Sequence, residues 1–173
     1  YNVSNNLDAA LSTDTLEVTA NAALTGNRTL NAIKIDGDGL TVGTAGRTLT
    51  LTSSNILNTG GDNTITAAQI IQTNQGFIQV DPTTTLDVNA SFTNTIHKTG
   101  AGQMNLNTVS FHNTTTTVSG GTLKLVGGLN TLFAAGTGTV GAVNIDVGAT
   151  LNLNGNIQYA GAFGSFGSAL PGT

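Results

Sequence analysis

Side chains able to do chemistry are few in this sequence. Nine carboxylates, five lysines and arginines and two histidines are spread over 173 residues, and cysteine is absent. Cleavage of an acidic polysaccharide would need two or more carboxylates converging at set separations, one of them protonated. The acids are Asp8, Asp14, Glu17, Asp36, Asp38, Asp62, Asp81, Asp87 and Asp146, with no Asp-Asp pair. Asp36 and Asp38 are two apart and would share a face in an extended strand. Asp36-Gly37-Asp38-Gly39 reads better as a turn, where Asp accepts backbone hydrogen bonds and Gly tolerates positive φ. Gly60-Gly61-Asp62 is one fragment of a glycine-rich calcium repeat, and one fragment builds no oxygen cage. His97 and His112 are fifteen residues apart, and two histidines without cysteine rarely hold a metal. His97 falls on the polar phase of Thr95-Ile96-His97-Lys98 and is expected to face solvent. No serine has an acid–base partner that would suggest a triad. No helix follows the glycines, so they form no phosphate loop. Arg28, Arg47, Lys34, Lys98 and Lys124 are scattered and line no single groove. The expectation is a chain with no catalytic, cofactor-binding or metal-ligating residues and no cofactor, that is, not an enzyme.

Recognition without catalysis has thin support. The aromatics are Phe77, Phe92, Phe111, Phe133, Phe163, Phe166, Tyr1 and Tyr159. None stands out as a sugar-binding platform, and Phe163-Gly164-Ser165-Phe166 reads as core or coil-capping packing. Asn-x-Ser/Thr triplets at Asn2, Asn27, Asn89 and Asn113 are expected by chance in so Asn- and Thr-rich a chain. A net charge of −4 with 8% charged residues gives no basic stripe for nucleic acid. No apolar run approaches the ~20 residues of a membrane-spanning helix.

The elements that must carry these side chains are short strands. Apolar residues make up 38% of the chain, and they alternate with polar ones. Thr15-Leu16-Glu17-Val18, Ala32-Ile33-Lys34-Ile35, Gly39-Leu40-Thr41-Val42 and Thr48-Leu49-Thr50-Leu51 share one pattern. Thr85-Leu86-Asp87-Val88, Gln103-Met104-Asn105-Leu106, Thr122-Leu123-Lys124-Leu125, Asn144-Ile145-Asp146-Val147 and Thr150-Leu151-Asn152-Leu153 repeat it. Each strand therefore has one buried and one wet face. Turn signals at Gly37, Gly60-Gly61, Gly100, Gly102, Gly120-Gly121, Gly127-Gly128 and Gly148 separate them. The uniform strand length, the lack of a Cys pair or Trp, and the wealth of Thr and Asn favour a solenoid over a sandwich. Coils of roughly twenty residues would give about eight coils, spaced by the ~4.8 Å of paired strands.

Residues 98 to 125 carry the most specific motif. They run from Lys98-Thr99-Gly100-Ala101-Gly102-Gln103-Met104-Asn105-Leu106 to Thr117-Val118-Ser119-Gly120-Gly121-Thr122-Leu123-Lys124-Leu125. This resembles the autotransporter-associated β-strand repeat, also called the passenger-associated transport repeat. Residues 141 to 153, with Val147-Gly148-Ala149-Thr150-Leu151-Asn152-Leu153, are similar to the segment that follows in that family. The chain departs in the spacer, where Val109-Ser110-Phe111-His112-Asn113 and four threonines replace the usual Thr-Gly and Gly-Gly. The resemblance implies an all-β, right-handed parallel β-helix (β-solenoid) in a secreted or surface-attached bacterial protein, but names no activity.

The expectation is therefore a single β-solenoid over residues 1–173, a segment of a longer secreted protein or a stacking filament subunit. Its expected role is structural, in an extracellular fibre, filament or autotransporter-like stalk, located outside the cell or on the bacterial surface. Expected partners are copies of itself end to end or further repeats, then surface glycans, with no nucleic acid and no membrane span. An adhesin or glycan-binding face is the second reading. A polysaccharide-degrading enzyme is the third.

Overall fold

The computed structural model describes residues 2–110, 115–128, 131–132 and 142–156. Among them are thirteen strands, all in one sheet, and all the strand pairings are parallel. Among the described residues the one helical element is a 3₁₀ turn at Leu7–Ala9. The strands are β1 (Asn2–Val3), β2 (Thr15–Val18), β3 (Arg28–Ile35), β4 (Thr41–Asn58), β5 (Asn63–Gln72), β6 (Ile78–Val80) and β7 (Thr85–Phe92). The rest are β8 (Ile96–Thr99), β9 (Gln103–Leu106), β10 (Thr116–Val118), β11 (Thr122–Leu125), β12 (Val143–Ile145) and β13 (Thr150–Asn152). Parallel strands need a crossover. Here that crossover is the remainder of each coil, so the chain is a parallel β-solenoid of about five turns.

The register resolves three faces. Face one stacks β1, β2, the second half of β3, the end of β4, β6, β8, β10 and β12. Face two stacks the start of β4, the starts of β5 and β7, then β9, β11 and β13. Face three stacks the first half of β3, the middle of β4, and the ends of β5 and β7. Alternation turns every second side chain inward, and stacking makes the core continuous. Leu16, Ile33, Ile56 and Ile78 lie in one inward row of face one. Val42, Ile65, Val88, Leu106 and Leu125 do the same in face two. All nine are at most 1% exposed.

Corner one, between faces one and two, is where the glycines cluster. Successive corners lie backbone on backbone. A Cβ on Gly60 would sit 2.0 Å from the Gly37 nitrogen, and one on Gly121 2.2 Å from the Gly102 carbonyl oxygen. Gly121 also has φ +60, which a side chain disfavours.

One expectation changes in part. Face one has eight rungs among the described residues, but faces two and three have fewer, so the stack amounts to about five turns and not to eight full coils. Coil length is near the expected value, since Ile33 pairs with Ile56 and Ile56 with Ile78. Face three carries four strands, and its ladder ends at β7 among the described residues.

Candidate functional site

The turn at 36–39 stacks directly under Gly60-Gly61-Asp62, so the two acidic fragments are neighbours on successive coils. Their carboxylates are occupied by the backbone. Asp38 accepts from the Asp62 N–H at 3.0 Å, and Asp62 accepts from the Thr85 N–H at 2.6 Å. Asp36 faces Lys34 at 2.7 Å, and Lys34 reaches back one coil to Glu17 at 2.6 Å. Those contacts raise the Lys34 ammonium above its usual value and hold the Asp36 carboxyl below the usual carboxylate range. Asp8 is likewise lowered, first by the Thr25 hydroxyl and N–H and then by Arg28 at 3.0 Å. Among the described residues, no group of three or more His, Asp or Glu is placed to hold a metal ion.

His97 does lie on the outer face, as its phase requires, but it is half-covered. Its ring centroid is 4.7 Å from that of Phe77, and its Nε2 is 2.9 Å from the Ser119 Oγ. Phe77 is half-exposed, an outward aromatic that sequence reading did not single out. His112, Phe111 and the Phe163–Phe166 motif lie outside the described residues.

Face two carries the most extended polar array. Thr41, Thr64, Asp87, Asn105, Lys124 and Asn152 form one outward row along the axis. The Asn105 and Asn107 amides donate to Asp87 at 2.9 and 3.3 Å, Asn107 donates to Asn89 at 2.9 Å, and Gln103 donates to Asn105 at 2.9 Å. The array presents regularly spaced hydroxyls, amides, one carboxylate and one ammonium, but no adjacent acid pair.

Polar side chains inside the rod went unrecognised in the sequence. Lys98 is fully buried, between Ile78 and Val118 in the inward row of face one. Its ammonium donates to the carbonyls of Thr99, Gly100 and Gly120 at 2.8, 2.8 and 3.0 Å. Asn63, 3% exposed, donates to the Gly37 carbonyl at 2.8 Å and the Gly61 carbonyl at 3.2 Å. Both side chains hold corner-one carbonyls of two consecutive coils from within. Where the chain turns between faces the regular strand ladder is interrupted, and these side chains supply donors to part-buried carbonyls there. The signal was present: alternation that puts His97 outside puts Lys98 inside, two residues after Ile96.

No helix among the described residues is long and apolar enough to cross a membrane. Compared with protein-family models, curated proteins and solved structures, the chain matches none.

Proposed function

We propose that this chain is a structural β-solenoid module of a bacterial extracellular fibre, filament or autotransporter-like surface stalk. One observation carries the reading: a single apolar core runs along a stack of parallel coils. Such a stack is stiff along its axis, since each coil buries its apolar face only against its neighbours. The motif over residues 98–125, with its likeness to the autotransporter-associated repeat, supports placement outside the cell. At the far end of the described stack the inward-facing Ile145 is 48% exposed, and Leu153 just beyond β13 is 44% exposed. Exposed core side chains, and a strand edge that no described strand pairs, favour contact with a further coil, either more repeats or another copy.

Electron microscopy of the purified protein tests this. Rods, or filaments with a regular axial repeat, are the expected result. Compact particles with no long axis would overturn it.

A second reading is a glycan-binding face, favoured by the axial Asp87–Asn105–Asn107 array on face two. Binding to a glycan array that is lost in Asn105→Ala would favour it. Binding unchanged by that substitution would count against this face.

A further inference from the structure

Lys98 combines features that a purely structural donor does not need. It is fully buried, and its partners are three carbonyls and no carboxylate. Among the described residues, the charged groups on the neighbouring elements point elsewhere. On its own strand His97 faces outward to Ser119. After β6, Asp81 accepts from Gln79 at the surface. On β7, Asp87 is taken by Asn105 and Asn107 on the outer face, and Lys124 of β11 lies in that same outward row. Strand β10 brings no charged residue. Among the described residues, then, a full positive charge is held by dipoles alone, in a row otherwise filled by Leu, Ile and Val.

We propose that Lys98 is a titratable pin: protonated, it spans the corners of two consecutive coils at the cost of a buried charge, and losing the proton relieves that charge, so the rod tightens as pH rises. The neutral amine keeps two N–H donors, enough to go on holding a carbonyl from each coil. Burial pushes the amine down to about 8 from its ordinary value of 10.5. The sign follows from proton counting. Between those two values the unfolded chain holds the proton that the folded chain has released. Stability from this group is therefore complete above the unfolded value and is lost as pH falls through the folded one. The Asn63 corner, two circuits earlier in the stack, does the same holding with a group that cannot titrate. It is an internal control.

The test is a titration of the ¹³C-lysine-labelled protein, in which the three lysines Lys34, Lys98 and Lys124 are followed by the shift of their Cε. One resonance with a midpoint near 8, missing in Lys98→Met, is expected. All three titrating above 10 would overturn the proposal. In parallel, the wild-type folded-to-unfolded ratio in urea should rise by up to roughly tenfold per pH unit between 8 and 10, and Lys98→Met should lack that rise. A flat or falling wild-type profile in that window would also overturn it. Should Lys98→Met fail to fold, Lys34→Gln and Lys124→Gln assign the resonance by elimination.

Discussion

At the residue scale, most side chains serve either the inward rows or the outward ladders. Leu86 and Ile65 are fully buried, each flanked by coils on both sides. Truncating either to Ala should cost about 2–5 kcal/mol, from lost transfer energy plus the residual cavity. Urea unfolding measures it, and a cost below about 1 kcal/mol would mean that the rows do not stack as described. The surface carboxylates set the acid limit. Asp8 and Asp36 sit below their ordinary 3.8 in the folded chain, so their contribution is present above 3.8 and is lost as pH falls through the folded values. The urea midpoint should therefore fall below about pH 4, and Asp36→Asn should flatten that slope. Both groups are solvent-facing, so the effect is small beside a core truncation.

At the element scale, the corners decide whether coils can stack. Gly60→Ala would drive a methyl into the Gly37 backbone, whereas a Cβ on Gly26 meets nothing within 4 Å and needs no unusual φ. The first should destabilise by more than about 1 kcal/mol, and the second should be neutral or stabilise by about 0.4–1 kcal/mol through the unfolded chain. Thermal unfolding of the pair reads this contrast directly. Alternation made β2, β9 and β11 legible with their bounds, because four-residue polar–apolar segments between glycines leave little choice. It missed β5, whose Asn63-Thr64-Ile65-Thr66-Ala67-Ala68 opening begins with an inward Asn, and β6, which is only three residues long. Strand β4 runs eighteen residues through three faces, so two of the expected short strands belong to one element. Register between coils was not legible at all, since pairing partners lie about twenty residues apart and depend on stacking. The interior roles of Lys98 and Asn63 were hidden for a related reason. A polar residue on the apolar phase looks like an error of phase until the corner carbonyls it serves are in place.

At the scale of the whole molecule, a stack in which each coil touches only its neighbours unfolds from its ends. Amide exchange should be slowest in β4, which passes through all three faces, and in β5 and β7, which carry faces two and three, and fastest in β1, β12 and β13. Uniform protection from end to end would contradict that gradient. The central claim is the parallel stack itself, and the lack of cysteine makes it directly measurable. Spin labels placed at Thr41 and Asn152 sit at the two ends of one outward row, five rungs apart. Pulsed dipolar spectroscopy should give a single narrow distance near 24 Å, five steps of about 4.8 Å, widened by the label arms. A broad distribution, or a centre displaced by more than about 10 Å from that sum of rung spacings, would contradict the stack.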